Sequence, residues 1–194
     1  MKKFLLVVLV GALALPVFQS CKKGPNDPAI SFKSRSARLV GEWKIFKGVE
    51  VQNNAGTITN INIDNSTYSE TSGGTTVTGV ITTEISIKKD GTYTWKQTLT
   101  IAGTTEIDEQ EGTWSFLGAN SANTIKNKQC VAFQCNKSTN ISGSTTTVST
   151  YTGWWPTVYN IDELKSKEII LIRDYSYTGS STDTESVTYT LQPK

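Results

Sequence analysis

The stretch Glu84–Gln97, Glu-Ile-Ser-Ile-Lys-Lys-Asp-Gly-Thr-Tyr-Thr-Trp-Lys-Gln, decides the fold class. Large apolar side chains occupy alternate positions on both sides of an Asp-Gly turn: Ile85 and Ile87 before it, Tyr93 and Trp95 after it. Successive side chains of a strand point to opposite faces, so this period of two predicts two strands with one apolar face and one wet face. The short turn between them predicts an antiparallel hairpin.

The same strand composition continues on either side of this hairpin. From residue 41 onward the chain has 29 threonines, with Val, Ile, Tyr and Trp among them and breaks at Gly, Asn, Asp and Ser. Only Asp162 to Lys165 has a helical pattern, for a single turn. We predict nine strands: Glu42 to Gln52, Val77 to Lys88, Thr92 to Ile101, Thr105 to Gln110, Gly112 to Leu117, Lys128 to Asn136, Thr145 to Trp154, Lys167 to Tyr177 and Ser186 to Gln192.

An antiparallel chain of this length must protect its sheet edges. Exposed edges invite pairing with other chains, so the sheet either closes into a barrel or doubles into a sandwich. At 194 residues and 37% hydrophobic content, the chain is sized for one such domain.

Composition narrows the function. Nineteen Lys and Arg against seventeen Asp and Glu, with no basic cluster, argue against a nucleic-acid partner. The chain has no histidine, which removes Ser-His-Asp and Cys-His catalysis and His-ligated zinc. We therefore predict a protein that is not an enzyme, with no catalytic residue, no metal and no cofactor.

The first residues have the layout of a secretory signal. Lys2 and Lys3 precede an apolar run, Phe4 to Val17, of about fourteen residues, too short for the roughly 20 that a bilayer span needs. Ser20-Cys21 at its end resembles the lipobox of bacterial lipoproteins, in the looser form of Bacteroidota. That resemblance implies that Cys21 is acylated and begins the mature chain, with a lasting membrane attachment. The alternative is a plain secreted protein cleaved near Ser20.

The predicted organisation has three parts. Residues 1–20 are the signal peptide, residues 21–37 the lipidated N-terminus and tether, and residues 38–194 the folded domain. The tether prediction rests on the charged, Gly- and Pro-containing residues 22 to 28, and a short turn of helix is expected within Ser31 to Arg38. We expect attachment to the outer membrane. Surface-exposed lipoproteins of Bacteroidota often carry acidic residues just after the lipidated cysteine, and because Lys22-Lys23-Gly24 does not resemble that signal, the resemblance favours the periplasmic face over the cell surface.

Several motifs resemble the lipocalins and the lipocalin-like domains of Bacteroidota lipoproteins. Gly41-Glu42-Trp43 resembles the motif that opens their first strand, and Lys89 to Tyr93, Glu111 to Phe116 and Leu164 to Arg173 resemble later strands. The resemblance implies an all-β, antiparallel up-and-down barrel of about 8–9 strands. It also implies a barrel floor formed by Gly41, Trp43 and Arg173, with the guanidinium lying across the indole.

Two modes of binding follow from a lipocalin-like barrel. The first is capture of a small, largely apolar ligand in a lumen of about 300 Å³ or more. The second is surface contact with a glycan or a protein partner, without a ligand cavity, through Trp154 or Trp155. The candidate ligand-binding residues are Tyr93, Trp95, Trp114, Trp154 and Trp155.

Two further features of the sequence can be interpreted in more than one way: the cysteine pair and an acidic strand. Cys130 and Cys135 form a disulfide only if the chain turns between them; export tips our expectation towards the bond, against two buried thiols on one strand. Alternation places Glu106, Asp108 and Gln110 on one strand face, and we expect that face to be solvated, with Ile107 on the inward side.

Overall fold

The computed structural model describes residues 24–29, 31–153, 155–176 and 183–194. Within them lie one short helix and eleven strands. In chain order these are α1 Arg35–Leu39, β1 Gly41–Asn54, β2 Thr57–Asp64, β3 Thr67–Ser72, β4 Thr75–Ile87, β5 Thr92–Ile101, β6 Thr104–Phe116, β7 Cys130–Ser142, β8 Thr145–Thr150, β9 Thr157–Leu164, β10 Ile169–Ser176 and β11 Thr184–Pro193. The predicted helical turn before the domain is confirmed as α1.

The strands close into an antiparallel barrel. Ten of them form a complete circuit, β1-β2-β3-β4-β5-β6-β7-β9-β10-β11, because β11 returns to pair with β1. The remaining strand, β8, adds to β7 outside that circuit. The all-β barrel prediction is confirmed over the sandwich, with more strands than the eight or nine expected.

The two ends of the barrel differ. Gly41 to Lys44 of β1 pair directly with β4, whereas Lys47 to Asn54 pair with β2, so the β2–β3 hairpin widens only one half of the wall. In the same way β7 pairs with β9 near its start and with β8 near its end. We call the narrow end, where β1 meets β4, the closed end, and the wide end the mouth.

The closed end holds the packed core. The Trp43 side chain is 3% exposed, and its indole Nε1 donates a 2.9 Å hydrogen bond to the Leu39 carbonyl. Ile85, Leu164 and Leu191 are buried in the same cluster. The expected role of Trp43 as a core residue at the barrel floor is confirmed, and Gly41 packs closely beside its indole.

Four strand predictions are wrong. β6 is unbroken where two strands were expected, and β2, β3 and β9 were not recognised. The expected helical turn at Asp162 to Lys165 falls largely within β9, where a register shift leaves Asp162 as an extra residue opposite β10. This bulge puts Ile161 and Leu164 on the buried side at a spacing of three, which imitates a helix.

The described part of the predicted tether is packed on the barrel. The Asn26 amide donates to the Asp162 carbonyl at 3.0 Å, and Leu164 donates from its amide to the Asp27 carboxylate at 2.9 Å. Asp27 also binds the Arg35 guanidinium in a buried ion pair. Folded structure therefore begins before residue 38, and this segment covers the outside of β9.

Candidate functional site

A cavity of about 230 Å³ lies inside the barrel, on the mouth side of the core. Its wall comes from strands β5, β6, β7, β9, β10 and β11. The lining residues are Trp95, Gln97, Gln110, Phe133, Thr157, Tyr159, Arg173 and Tyr189.

Aromatic rings form one side of this cavity. Trp95 and Tyr159 lie nearly parallel, with ring centroids 6.1 Å apart, and Tyr189 meets Trp95 edge-on at 6.0 Å. Phe133 packs edge-on against Trp95 at 6.0 Å. Such mutual packing holds the rings in place, so the cavity has a rigid aromatic lining.

The cavity lining also carries polar groups, which lie beside these rings. The Arg173 guanidinium forms an ion pair with Glu185 and lies 5.6 Å from the centre of the Tyr159 ring, while its Nε has no hydrogen-bond partner. The Tyr189 hydroxyl donates to Glu50 at 3.3 Å. Burial raises the pKa of Tyr159 to about 12 and that of Tyr189 further, so both phenols are protonated at neutral pH.

The position of Arg173 corrects the predicted barrel floor. Trp43 pairs with Pro193 on β11, whereas Arg173 pairs with Val187, six positions away, or roughly 20 Å along the strand. Arg173 therefore contacts Tyr159 in the cavity, not Trp43 at the closed end. The arginine above an aromatic ring is present, but it belongs to the binding cavity.

A second recess adjoins the cavity. It measures about 140 Å³ and shares Gln110 and Thr157 with the first. Its outer side includes Tyr151 and Trp155, and the Trp155 side chain is 89% exposed. The predicted partner Trp154 lies outside the described residues. The cavity thus continues towards a surface that carries an exposed indole.

The face of β6 with Glu106, Asp108 and Gln110 is solvated, as expected, but it faces the lumen and not the outer surface. Gln110 lines the cavity, and Glu106 lines a separate hollow of about 230 Å³ near the mouth, together with Leu99 and Ile101. Ile107 lies on the opposite face. The predicted inward position of Ile107 is wrong, because the wide half of the barrel is solvated inside and polar residues there do not mark the outer surface.

The described aromatic candidates from the sequence separate into two groups. Trp95 lines the cavity and Trp155 the adjoining recess, as expected of ligand-binding residues. Tyr93 is a core residue, and Trp114 packs on Phe116 and donates its indole N–H to the Lys88 carbonyl at the closed end. The sequence placed Tyr159 only in the neighbourhood of Trp154 and Trp155, and Tyr189 was not recognised. Alternation within β11 carried the only signal, with Val187, Tyr189 and Leu191 on one face.

The predicted disulfide is absent. Cys130 and Cys135 are free thiols on the continuous strand β7, where four residues of extended chain separate them. The Cys130 thiol is hydrogen-bonded to the Asn160 side chain at 3.0 Å, and the Cys135 thiol to the Lys137 carbonyl at 3.3 Å. Burial raises the pKa of both thiols.

Among the described residues, no cluster of three or more acidic or cysteine side chains is arranged to hold a metal. None of the helices found there is long and apolar enough to cross a bilayer. No protein family, curated protein or solved structure matches this chain. The resemblance to lipocalins therefore rests on the short sequence motifs that begin at Gly41, Lys89, Glu111 and Leu164. Function has to be inferred from the geometry of the cavity.

Proposed function

We propose that this chain is an exported, lipid-anchored, non-enzymatic binding protein that holds a small ligand inside its barrel. The observation that carries the proposal is the 230 Å³ cavity between the ring pair Trp95–Tyr159 and the ion pair Arg173–Glu185. Ligand sites combine apolar walls with a few convergent polar groups in this way. The signal-like N-terminus and the lipobox resemblance at Cys21 support export and anchoring.

The cavity narrows the ligand class beyond the largely apolar molecule expected from the sequence. Its volume is below the range of about 300–1,000 Å³ that drug-sized ligands occupy. Its lining combines aromatic rings with amide, hydroxyl and guanidinium groups. The best fit is a small molecule that has both an apolar face and hydrogen-bonding groups.

The charged groups near the cavity also restrict the charge of the ligand. Three inward-facing carboxylates lie on the mouth side of the cavity: Glu50, Glu70 and Glu185. They outnumber the single guanidinium of Arg173, which Glu185 already binds. An anionic ligand would be repelled by this excess negative charge. A neutral or cationic ligand is therefore favoured.

A second function is supported by Trp155. An indole that is 89% exposed beside Tyr151, Ser138 and Gln110 resembles a platform on which a sugar ring stacks. In this alternative a glycan binds at the outer recess, and the inner cavity is only the end of that groove.

Two variants separate these functions. A chain beginning at Lys22 retains every described residue, and its tryptophan emission can be titrated with neutral aromatic probes and with oligosaccharides. Gln97→Trp fills the inner cavity and should abolish the response to aromatic probes, whereas Trp155→Ala should leave it intact. The reverse pattern with oligosaccharides would support the glycan function, and no response to either class would contradict both.

A further inference from the structure

The path of the chain towards Cys21 is set by a close contact on β9. A Cβ added at Gly24 would lie 2.5 Å from the Ile161 carbonyl oxygen and 2.6 Å from that of Asp162. The Gly24 amide donates to the buried Asp27 carboxylate at 2.9 Å. Gly24 is therefore held against the backbone of β9, close to the closed end where that strand finishes at Leu164.

This contact limits the distance between the anchor and the barrel. Cys21 lies three residues before Gly24, and an extended chain covers at most about 3.6 Å per residue. The two α-carbons can be no more than about 11 Å apart. A lipid on Cys21 would therefore hold the closed end of the barrel close to the bilayer surface.

The loops at the closed end are basic. Three connections lie there: residues 88–91 between β4 and β5, residues 117–129 between β6 and β7, and residues 165–168 between β9 and β10. Their charged side chains are six lysines and two carboxylates, namely Lys88, Lys89, Asp90, Lys126, Lys128, Lys165, Lys167 and Glu168. All six lysines are exposed, and only Lys165 forms an ion pair, with Glu163 and more distantly Glu168.

The described turns at the mouth have the opposite character. They are built from Ala-Gly, Gly-Gly and Gly-Ser pairs at residues 55–56, 73–74, 102–103 and 143–144, with no lysine in any of them. The charged groups near these turns include the carboxylates of Glu106, Asp108 and Asp183. Cationic charge is thus concentrated at the end from which the anchor emerges.

The docked N-terminal segment adds an apolar group to this end. Phe32 is fully exposed, next to the exposed Lys33 and two residues before the Ser34 cap of α1. An aromatic ring beside a lysine suits the boundary between headgroups and acyl chains, where amphipathic segments insert.

We propose that the closed end is a membrane-contacting face that binds anionic lipid headgroups, with the mouth directed away from the bilayer. The surface comprises Phe32, Lys33 and the exposed lysines of the three closed-end loops. Its charge complements an anionic bilayer, to which each nearby lysine contributes about a fivefold factor in binding. This inference rests on the acylation of Cys21 in the proposed function, and it places the ligand cavity on the side open to solvent.

The test is lysine labelling on the lipidated full-length protein in vesicles of phosphatidylcholine with about one third phosphatidylglycerol. Mass spectrometry first establishes whether Cys21 carries acyl chains, because an unmodified Cys21 would contradict the anchoring and not the surface. A membrane-impermeant amine reagent then reports the labelling rate of each lysine, compared with the same protein in detergent.

We expect Lys88, Lys89, Lys126 and Lys128 to be labelled at least about fivefold more slowly on anionic vesicles. Lys96 and Lys137, which lie on the barrel wall, serve as internal controls and should keep their detergent rates. Equal rates for both groups on an acylated protein would overturn the proposal. Protection that survives in about 1 M salt, where the Debye length is about 3 Å, on vesicles without phosphatidylglycerol would also overturn it, because the lysines would then not be binding anionic headgroups.

The charge-reversal variant Lys88→Glu, Lys89→Glu, Lys126→Glu, Lys128→Glu should lose the protection of Lys33 and Lys167 on anionic vesicles. Lys47→Glu with Lys96→Glu, on the wall of the barrel, is the control and should retain it. Circular dichroism of both variants establishes that the barrel is intact. Retained protection in the fourfold variant would contradict the assignment of these lysines to headgroup binding.

Discussion

At the scale of single residues, Asp27 holds the N-terminal segment to the barrel. Its side chain is fully buried, and it accepts hydrogen bonds from the amides of Gly24 and Leu164, both at 2.9 Å, and from the Arg35 guanidinium. One carboxylate thus joins α1, the incoming chain and the end of β9. Sequence composition could not reveal this, because a Gly-, Pro- and Asn-rich stretch has the character of a linker until its partners are known.

Replacing Asp27 should therefore destabilise the whole barrel. Asp27→Ala leaves Arg35 buried without its counter-ion, a change that costs about 3–5 kcal/mol in other proteins. Urea unfolding followed by circular dichroism would measure the loss. The control is Asp174→Ala at an exposed carboxylate, with an expected effect within about 0.5 kcal/mol. A loss below about 1 kcal/mol for Asp27→Ala would mean that the segment is a tether after all.

The buried tyrosines make stability depend on alkaline pH. Burial raises the pKa of Tyr68, Tyr93, Tyr159 and Tyr189 above the ordinary value of 10.0, to about 12 for Tyr159 and beyond that for the others. Below pH 10 these phenols are neutral in the folded and unfolded states, so stability does not respond to them. Above pH 10 the unfolded chain releases protons that the folded chain retains, and stability falls as the pH rises through 12.

Melting temperature and tyrosinate absorbance, recorded together from pH 9 to 12, test this expectation. The four buried phenols should ionise only as the barrel unfolds, and the chain in guanidinium, where all seven tyrosines are exposed, provides the reference. Ionisation of all seven near pH 10 with the barrel intact would contradict the prediction.

At the scale of elements, a strand could be predicted from the sequence only where one of its faces is clearly apolar. β5 was predicted with its observed bounds, because Tyr93 and Trp95 alternate with polar residues. β2 and β3 were missed because only Ile61, Ile63 and Tyr68 in them pack against the core, and Thr, Asn and Ser occupy most of their other positions. For the same reason the lumenal face of β6 was assigned to solvent, and the site was predicted only at its two tryptophans.

Gly112 explains why β6 was wrongly divided. A glycine within an acidic run resembles a break, yet here it pairs with Cys135 in the middle of the strand. An added Cβ would overlap the Gln134 carbonyl oxygen and would lie 2.9 Å from the Tyr93 ring. The glycine is required by close approach to neighbouring strands, and it continues the sheet rather than ending it.

The variant Gly112→Ala should therefore separate β6 from β7. Overpacking of this kind costs about 1–3 kcal/mol or more, because the obstructing atom is backbone that cannot rotate away. Gly118→Ala is the matched control, since nothing lies within 4 Å of the added carbon there. Chemical unfolding of both variants gives the comparison, and equal midpoints would show that β6 and β7 are not packed as described.

At the scale of the whole molecule, closure depends on the two ends of the folded chain. β11 pairs with β1 from Trp43–Pro193 to Asn53–Thr184, and with β10 on its other side. It also supplies Val187, Tyr189 and Leu191 to the interior. Without β11, both β1 and β10 become open edges, and the cavity loses one of its aromatic rings.

Truncation after Asp183 should accordingly abolish the folded state instead of weakening it. Contacts between residues so distant in sequence form only when the sheet closes, and unpaired edges lead to association with other chains. We expect the truncated chain to lose its cooperative thermal transition and to aggregate on refolding from urea. A chain ending at Gln192 keeps the inward residues of β11 and should melt cooperatively. A cooperative transition in the chain ending at Asp183 would mean that the remaining strands fold without closure, and the cavity could then not depend on a closed wall.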